Sequence, residues 1–328
     1  MNNTDVLAFA RDLENNIFSL HEILLNKTYY HGSYEHFFVN DPKRRYISKA
    51  IVRDRVAHQA VVQIIEPIFE PQFIFDSYSS RKDKGTHAAV LRLEKFFRQA
   101  TANYHFVVYA LKCDIRKFFD SVRQDILLDI IRRKISDENI IWLIKEILQS
   151  YCANEKPGCG LPLGNATSQL FANIYLNGLD HFVKEKLGMR WYVRFCDDFI
   201  ILHRSPAVLE DTLFQIRRYL LEERGLELHP KKVSIRKLSY GIDFVGQAFR
   251  PHYRTLRLKT KKRIFCVMRR HIESYQNGEI SDESFRQSAQ SYFGLLKYGD
   301  NYCLGRRLRE TIWRQIADKL KSARVNGI

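Results

Sequence analysis

The sequence predicts an α+β fold in which an antiparallel sheet is backed by helices. Phe106-Val107-Val108-Tyr109-Ala110-Leu111 is a continuous apolar run leading into Lys112-Cys113-Asp114, the pattern of a buried strand that ends on an acid. Trp191-Tyr192-Val193-Arg194-Phe195 and Phe199-Ile200-Ile201-Leu202 flank Cys196-Asp197-Asp198, as the two strands of an apolar hairpin flank its turn. Around these runs the apolar residues recur at helical spacing.

Taken in order, Val6, Phe9, Leu13, Ile17, Leu20 and Leu24 predict one amphipathic helix from Asp5 to Leu25. Tyr46-Ile47-Ser48 reads as a short strand, and a helix opening at Arg53 is expected to end near Pro67. A loop spans Tyr78 to Gly85. Between Ser121 and Tyr151 two helices are broken near Ser136-Asp137, a cap for the run through Ile140 and Leu148. Pro157-Gly158-Cys159-Gly160 marks a loop. Ser168 is expected to cap a helix through Leu170, Phe171, Ile174, Tyr175, Leu179 and Val183, stopped at Gly188. Pro206 to Arg224 predicts another helix, with Leu209, Leu213, Ile216 and Leu220 inward and Gly225 ending it. The tail repeats helical patterns through Phe285, Tyr292 and Leu296, then Leu304, Leu308 and Ile312.

The chain has 328 residues and a net charge of +16, from 53 Lys and Arg against 37 Asp and Glu. Such an excess predicts a polyanionic partner, of which nucleic acid is the simplest. No apolar run approaches the roughly 20 residues of a spanning helix, and the amino terminus lacks a signal-peptide pattern. The expectation is a cytoplasmic protein without a membrane. Six cysteines stand without a C-x-x-C pair, which indicates neither zinc nor a disulfide framework, and most are expected to be small apolar packers.

The acids carry the chemistry. Burying adjacent like charges is costly without a cation, and hard divalent ions take carboxylate oxygens. A solvated turn is the other reading of Asp197-Asp198 alone. Asp114 at a strand end changes the balance, because carboxylates from a strand end and a neighbouring hairpin suit a two-metal phosphoryl-transfer site.

These residues carry a family resemblance. The Asp114 strand, Gly160-Leu161-Pro162-Leu163-Gly164-Asn165-Ala166-Thr167-Ser168-Gln169 and Phe195-Cys196-Asp197-Asp198 come in the order and spacing of a reverse transcriptase of the bacterial, group II intron-like branch. Arg81-Lys82-Asp83-Lys84-Gly85-Thr86-His87 resembles the fingers motif. Gly225-Leu226-Glu227-Leu228-His229-Pro230-Lys231-Lys232 resembles the motif after the catalytic hairpin, and Gly241-Ile242-Asp243-Phe244-Val245-Gly246 the primer grip. The resemblance implies a right-hand polymerase fold: an N-terminal helical extension over 1–40, fingers over 41–105, a palm over 106–249 and a basic helical thumb over 250–328.

It also implies roles. Asp114, Asp197, Asp198 and the Ile115 carbonyl would hold two Mg2+ ions, with Mn2+ as a substitute, and Lys232 or its neighbour Lys231 would neutralise or protonate the leaving group. Arg81 and Lys84 would bind the triphosphate of a dNTP. Phe119 would lie under its sugar, and Leu163, Gly164 and Gln169 would form the nucleotide-side segment. Phe244, Val245 and Gly246 would grip the primer. Phe195 replaces the usual Tyr, keeping the ring without the hydroxyl.

Leu163 and Gln169 replace the Gln and Pro usual in the family, and this pattern resembles the reverse transcriptases of diversity-generating retroelements. Those enzymes copy a template RNA with errors at adenines, helped by a small basic accessory protein. Exchanging an amide for an aliphatic side chain removes a hydrogen-bonding check, so discrimination should loosen. From Arg250 to Arg270 the chain is basic without an acid, and Arg254, Arg257, Lys259, Lys261, Lys262 and Arg263 are expected to contact the duplex of template RNA and cDNA. A structured noncoding RNA is a further expected partner. The competing readings are an antiphage-defence reverse transcriptase with a dedicated noncoding RNA, a non-catalytic RNA-binding scaffold, and a nucleotide cyclase.

Overall fold

The computed structural model describes residues 4–40, 43–153 and 156–325, with side chains up to residue 315. The chain divides into two compact units, residues 1–96 with 109–235, and residues 97–108 with 236–328.

The first unit begins with α1 (Thr4–Arg11) and α2 (Leu13–Leu25), where one helix was expected. Asp12, at φ −125° and ψ 46°, leaves the helical region and breaks the pattern. Leu13 and Ile17 are consequently exposed and only Leu20 of the expected stripe is buried. β1 (Glu35–Val39) and β2 (Arg45–Lys49) form an antiparallel pair. α3 (Val52–Phe69) matches the expected helix, taking Pro67 into its last turn before a 3₁₀ turn, Glu70–Gln72. α4 (Thr86–Ala100) follows.

The central sheet has strand order β4-β5-β3-β6, from β3 (Tyr109–Asp114), β4 (Trp191–Phe195), β5 (Asp198–His203) and β6 (Ser234–Lys237). β3 starts at Tyr109; Phe106 and Val107 are exposed. They follow a turn in which Ala102, Asn103 and Tyr104 all take positive φ, and the Phe106 N–H is tied back to the Thr101 carbonyl. β3 and β4 both pair antiparallel with β5.

Alternation divides the sheet into two faces. One carries Leu111, Cys113, Tyr192, Phe199 and Ile201, all in the main core. Between the strands lie α5 (Phe118–Ser121), α6 (Gln124–Arg132), α7 (Glu138–Gln149) and α8 (Ala166–His181), then α9 (Pro206–Arg224) after the hairpin. α9 packs on β3 and β5, and α8 against α3, α6 and α9. Asp137 caps α7 as expected, accepting from the Asn139 and Ile140 N–H groups. Asn165, not Ser168, precedes the first turn of α8, while Ser168 is buried inside it. Gly225 closes α9 at φ 61°, a left-handed position that glycine takes without strain.

The second unit holds the meander β7 (Ile242–Phe244), β8 (Gln247–Arg250) and β9 (Tyr253–Leu256), then α10 (Leu258–Gln276), α11 (Asp282–Lys297) and α12 (Tyr302–Val325). Leu256, Ile264, Met268, Ile272, Phe285 and Leu308 make its core. The cysteines depart from expectation: Cys113 is buried, but Cys152, Cys266 and Cys303 are exposed.

A buried polar chain crosses the first unit. The His31 Nδ1 donates to the Gly32 carbonyl at 2.7 Å, which leaves its Nε2 to accept from the His58 Nε2 at 3.0 Å. The His58 Nδ1 then accepts from the Thr167 hydroxyl at 2.6 Å, on the first turn of α8. Burial, then the neighbouring His31, pushes the His58 imidazole down to about 4. A histidine held neutral in the folded state but free to protonate when unfolded gives stability that is full above about pH 6.5 and is lost as pH falls toward 4. In urea unfolding, replacing His58 with Gln should shrink the stability difference between pH 7 and pH 4 by about 2–3 kcal/mol.

Candidate active site and its supporting residues

β3 and β5 bring two of the acids face to face. Asp114 and Asp198 are cross-strand partners in direct register, so their side chains leave the same face of the sheet. Lys112 and Ile200 share that face. Asp197 stands in the turn, and its carbonyl accepts from the Ile115 N–H at 3.1 Å. Burial first, then the charge of Asp114, pushes the Asp197 carboxyl above its usual range. The three acids therefore lie at one end of the strands.

Two of them are met by lysines. The Lys232 ammonium donates to Asp114 Oδ1 at 2.7 Å, and the Lys112 ammonium to Asp198 Oδ2 at 3.1 Å. Among the described residues no group of three or more acid, His or Cys side chains converges closely enough to hold a metal ion. The donor set still suits a hard cation: carboxylate oxygens, with the Asp197 carboxyl raised above its usual range by burial and by a neighbouring acid. The backbone explains why Lys232 arrives here. After Gly225 the chain pairs with β3's end, through the Arg116 N–H to the Glu227 carbonyl at 2.8 Å and the His229 N–H to the Asp114 carbonyl at 2.8 Å. Lys231 is engaged through its own N–H, which donates to His229 Nδ1 at 3.2 Å.

The turn itself is held from behind. Cys196 takes φ 56°, unusual for a residue with a side chain, and its carbonyl accepts from Arg194 Nη1 at 3.1 Å. Arg194 is fully buried. Its Nε and Nη2 donate to the two oxygens of Asp180 at 2.7 and 2.6 Å, Nη2 also to Ser77 Oγ at 3.0 Å, and Nη1 also to Asn173 Oδ1 at 3.3 Å. Every N–H of the guanidinium is thereby satisfied. Tyr192 donates to the same Asp180 at 2.6 Å. Asn173 and Asp180 are seven residues apart and share one face of α8. The backbone of Arg194 also joins the loop ahead of the expected triphosphate residues, accepting from the Tyr78 N–H and donating to the Asp76 carbonyl, each at 3.0 Å.

The other expected site residues fall as follows. The Arg81 guanidinium is turned inward, with Nε and Nη2 on Glu70 and Nη1 on the carbonyls of Ile74 and Ser77. Lys84 lies over the Phe75 ring at 3.3 Å and donates to the Phe75 carbonyl; burial, then Arg81, lowers its pKa. Phe118 enters the core while Phe119 stays half-buried, edge-on to it. Leu163 is half-buried and Gly164 and Gln169 are exposed. The Leu163 carbonyl accepts from the Ser48 N–H at 2.9 Å, and the Asn165 side chain bridges the Ser48 carbonyl and the Ala50 N–H. Gly164 takes φ 114°, and a Cβ there would meet Ile47 Cγ2 at 2.8 Å.

In the second unit Phe244 is buried, and Val245 and Gly246 form the two-residue turn of a hairpin at φ 45° and 83°. A β-branched residue in that region is strained, so the expected grip turn is held by its surroundings. Lys259 and Lys262 are exposed, and Arg254, Arg257, Lys261 and Arg263 half-buried. The fold also brings acids to this acid-free stretch: Asp243 lies 3.4 Å from Arg257, and Asp300 accepts from the Arg254 N–H.

Residues 40–249 match the family described as reverse transcriptase (RNA-dependent DNA polymerase). The chain belongs to that family. Among curated relatives it is similar to protein YkfC of Escherichia coli, 23% identical over 244 residues that cover 62% of each chain. It is also similar to the group II intron-encoded protein LtrA of Lactococcus lactis, 30% identical over 177 residues, 52% of this chain and 28% of that one. The chain thus spans less than two thirds of the length of the relatives it matches. Among solved structures, apo telomerase from Candida tropicalis superposes with a TM-score of 0.58 at 13% identity, over 87% of this chain and 60% of that one. The fold is the right-hand polymerase fold.

Arg194, Asp180, Asn173, Lys112 and Asn165 were not singled out by the sequence reading. An Arg inside the apolar run Trp191–Phe195 and an Asp inside the apolar face of α8 were the available signals. Replacing Arg194 with Met strands the Asp180 charge, and denaturant unfolding should show a loss of about 3–5 kcal/mol. The double replacement Arg194→Met with Asp180→Leu should recover much of it.

Proposed function

We propose that this chain is an RNA-directed DNA polymerase that extends a primer along a template RNA. The observation that carries this reading is the direct register of Asp114 with Asp198 beside the Asp197 turn, in a chain whose family is the reverse transcriptases. Asp114, Asp197 and the Ile115 carbonyl would hold divalent cations, with Asp198 beside them. When bound, such ions lower the pKa of an attacking hydroxyl and offset charge on a triphosphate.

The chain's own residues do the rest. Lys232 and Lys112 neutralise Asp114 and Asp198, and must swing off these oxygens for a cation to replace them. Lys232, released, is a mobile ammonium beside the acids, suited to neutralising or protonating a leaving pyrophosphate. Phe119, half-buried just after β3, would pack under a sugar. Lys84 keeps a cation at the surface, whereas Arg81 braces the loop that carries it and would need to leave Glu70 to touch a phosphate. Phe244, Val245 and Gly246 serve as the primer grip, and Lys259 and Lys262 head the face of α10 offered to a duplex backbone.

The finer reading is an error-prone enzyme of the diversity-generating kind, copying a structured noncoding RNA with a small basic accessory protein. Its support is Leu163, an aliphatic side chain where the family resemblance expects an amide, on a segment pinned to β2.

Replacing Asp114 or Asp197 with Asn should lower Mg2+-dependent primer extension at least about a hundred-fold while leaving the circular dichroism spectrum unchanged. Activity retained by either variant would exclude this site. On an adenine-containing template, Leu163→Gln should reduce misincorporation; equal error rates would remove the error-prone reading alone. Template-primer affinity should fall steeply with salt, and Lys259→Ala and Lys262→Ala should each flatten the slope of log K against log salt by about 0.7–0.9.

A further inference from the structure

The last helix of the second unit carries a surface stripe that the site above does not use. Tyr302, Arg306, Arg309 and Trp313 follow at intervals of four, three and four residues, so they share one face of α12. Leu308, on the other side of the helix, enters the core. Tyr302 is 75% exposed and Trp313 72% exposed. With Glu310 and Arg314 they line an open groove of about 440 Å3. A second groove of about 340 Å3 continues from Tyr302 and Arg309 to Lys297 and Asn301. Glu310 offsets one charge by pairing with Arg306 at 3.6 Å, and Arg309 leans over Phe293 at 5.9 Å. The groove remains cationic, with two flat exposed rings about 16 Å apart along the axis.

Two exposed rings flanking a pair of guanidinium groups along one groove match a ligand that carries both flat apolar faces and negative charges. An unpaired polynucleotide has that form: bases stack on aromatic side chains while arginines hold the phosphates. A duplex does not, because its base faces are covered by one another. We propose that this face of α12 binds unpaired RNA, with Trp313 and Tyr302 stacking on bases. The choice of RNA over DNA rests on the polymerase reading, since an enzyme copying RNA must hold template not yet paired; the stacking groove itself does not depend on it.

The test uses the full chain without metal or nucleotides, so it reads binding independently of catalysis. Fluorescence anisotropy is measured with a mixed-sequence RNA oligonucleotide, the DNA strand of the same sequence and a blunt RNA duplex. Trp313→Ala and Tyr302→Ala should each weaken unpaired RNA about five-fold or more and leave duplex affinity within about two-fold. Of the three tryptophans, Trp142 and Trp191 are half-buried, so RNA should quench mainly Trp313. Trp313→Phe should keep the affinity and lose the quench. Unchanged RNA affinity in both alanine variants, an equal loss for the duplex, or an effect confined to self-association or to anionic vesicles would overturn the proposal. DNA bound as tightly as RNA would overturn the assignment to RNA. A chain that extends no primer yet loses RNA on Trp313→Ala would sink the polymerase reading and keep the stacking groove.

Discussion

The buried pair of Arg194 and Asp180 is the constraint on which the acid-bearing end of the central sheet depends. A guanidinium taken wholly out of water needs every donor satisfied, and here the donors are met by α8, by the loop at Ser77 and by the turn carbonyl of Cys196. One side chain therefore fixes three segments that are distant in sequence. Buried ion pairs are seldom a large net source of stability, because desolvation offsets their attraction. What this one supplies is geometry. It holds a residue at positive φ and so sets where Asp197 and Asp198 begin.

On the opposite face of the sheet the electrostatic logic is reversed. Burial and then the charge of Asp114 raise the Asp197 carboxyl, while Asp114 and Asp198 are paired with Lys232 and Lys112. These lysines are long and partly solvated, so they can leave. Behind the sheet, by contrast, Arg194 is locked on all sides. A rigid cation shapes the turn, and exchangeable cations cover the acids that the turn presents. That division suits a site where divalent ions come and go with substrate.

Much of this was legible in the chain. β4 matches its expected bounds and β5 extends them by one residue at each end, taking Asp198 out of the turn into the ladder, because apolar strands around a polar turn leave little choice of register. The α9 helix matches from Pro206 to Gly225, where both ends carry residues whose backbone preferences punctuate a helix. The misses have local causes. Asp12 splits the leading helix, Ser168 lies inside α8 instead of capping it, and Phe106 and Val107 stay exposed after a turn despite their apolar character. Apolar composition reports burial on average and says nothing of where a chain must reverse.

By itself the sequence determined the order of β3, α6 to α8, the β4–β5 hairpin and α9, the α+β class, the placing of Asp114 at a strand end and Asp197 in the hairpin turn, and the basic character of the tail. These follow from periodicity, charge and short motifs, which act over a few neighbouring residues. Only the tertiary structure decided which cations meet those acids, that Arg81 faces Glu70, that Asn165 stitches Leu163 to β2, and that Trp313 and Tyr302 stand open on one helix face. Each depends on groups from 11 to 118 residues apart, or on which face of a helix the core leaves exposed. No local pattern encodes that, because side-chain pairing is settled when the buried polar groups find partners as the whole core closes.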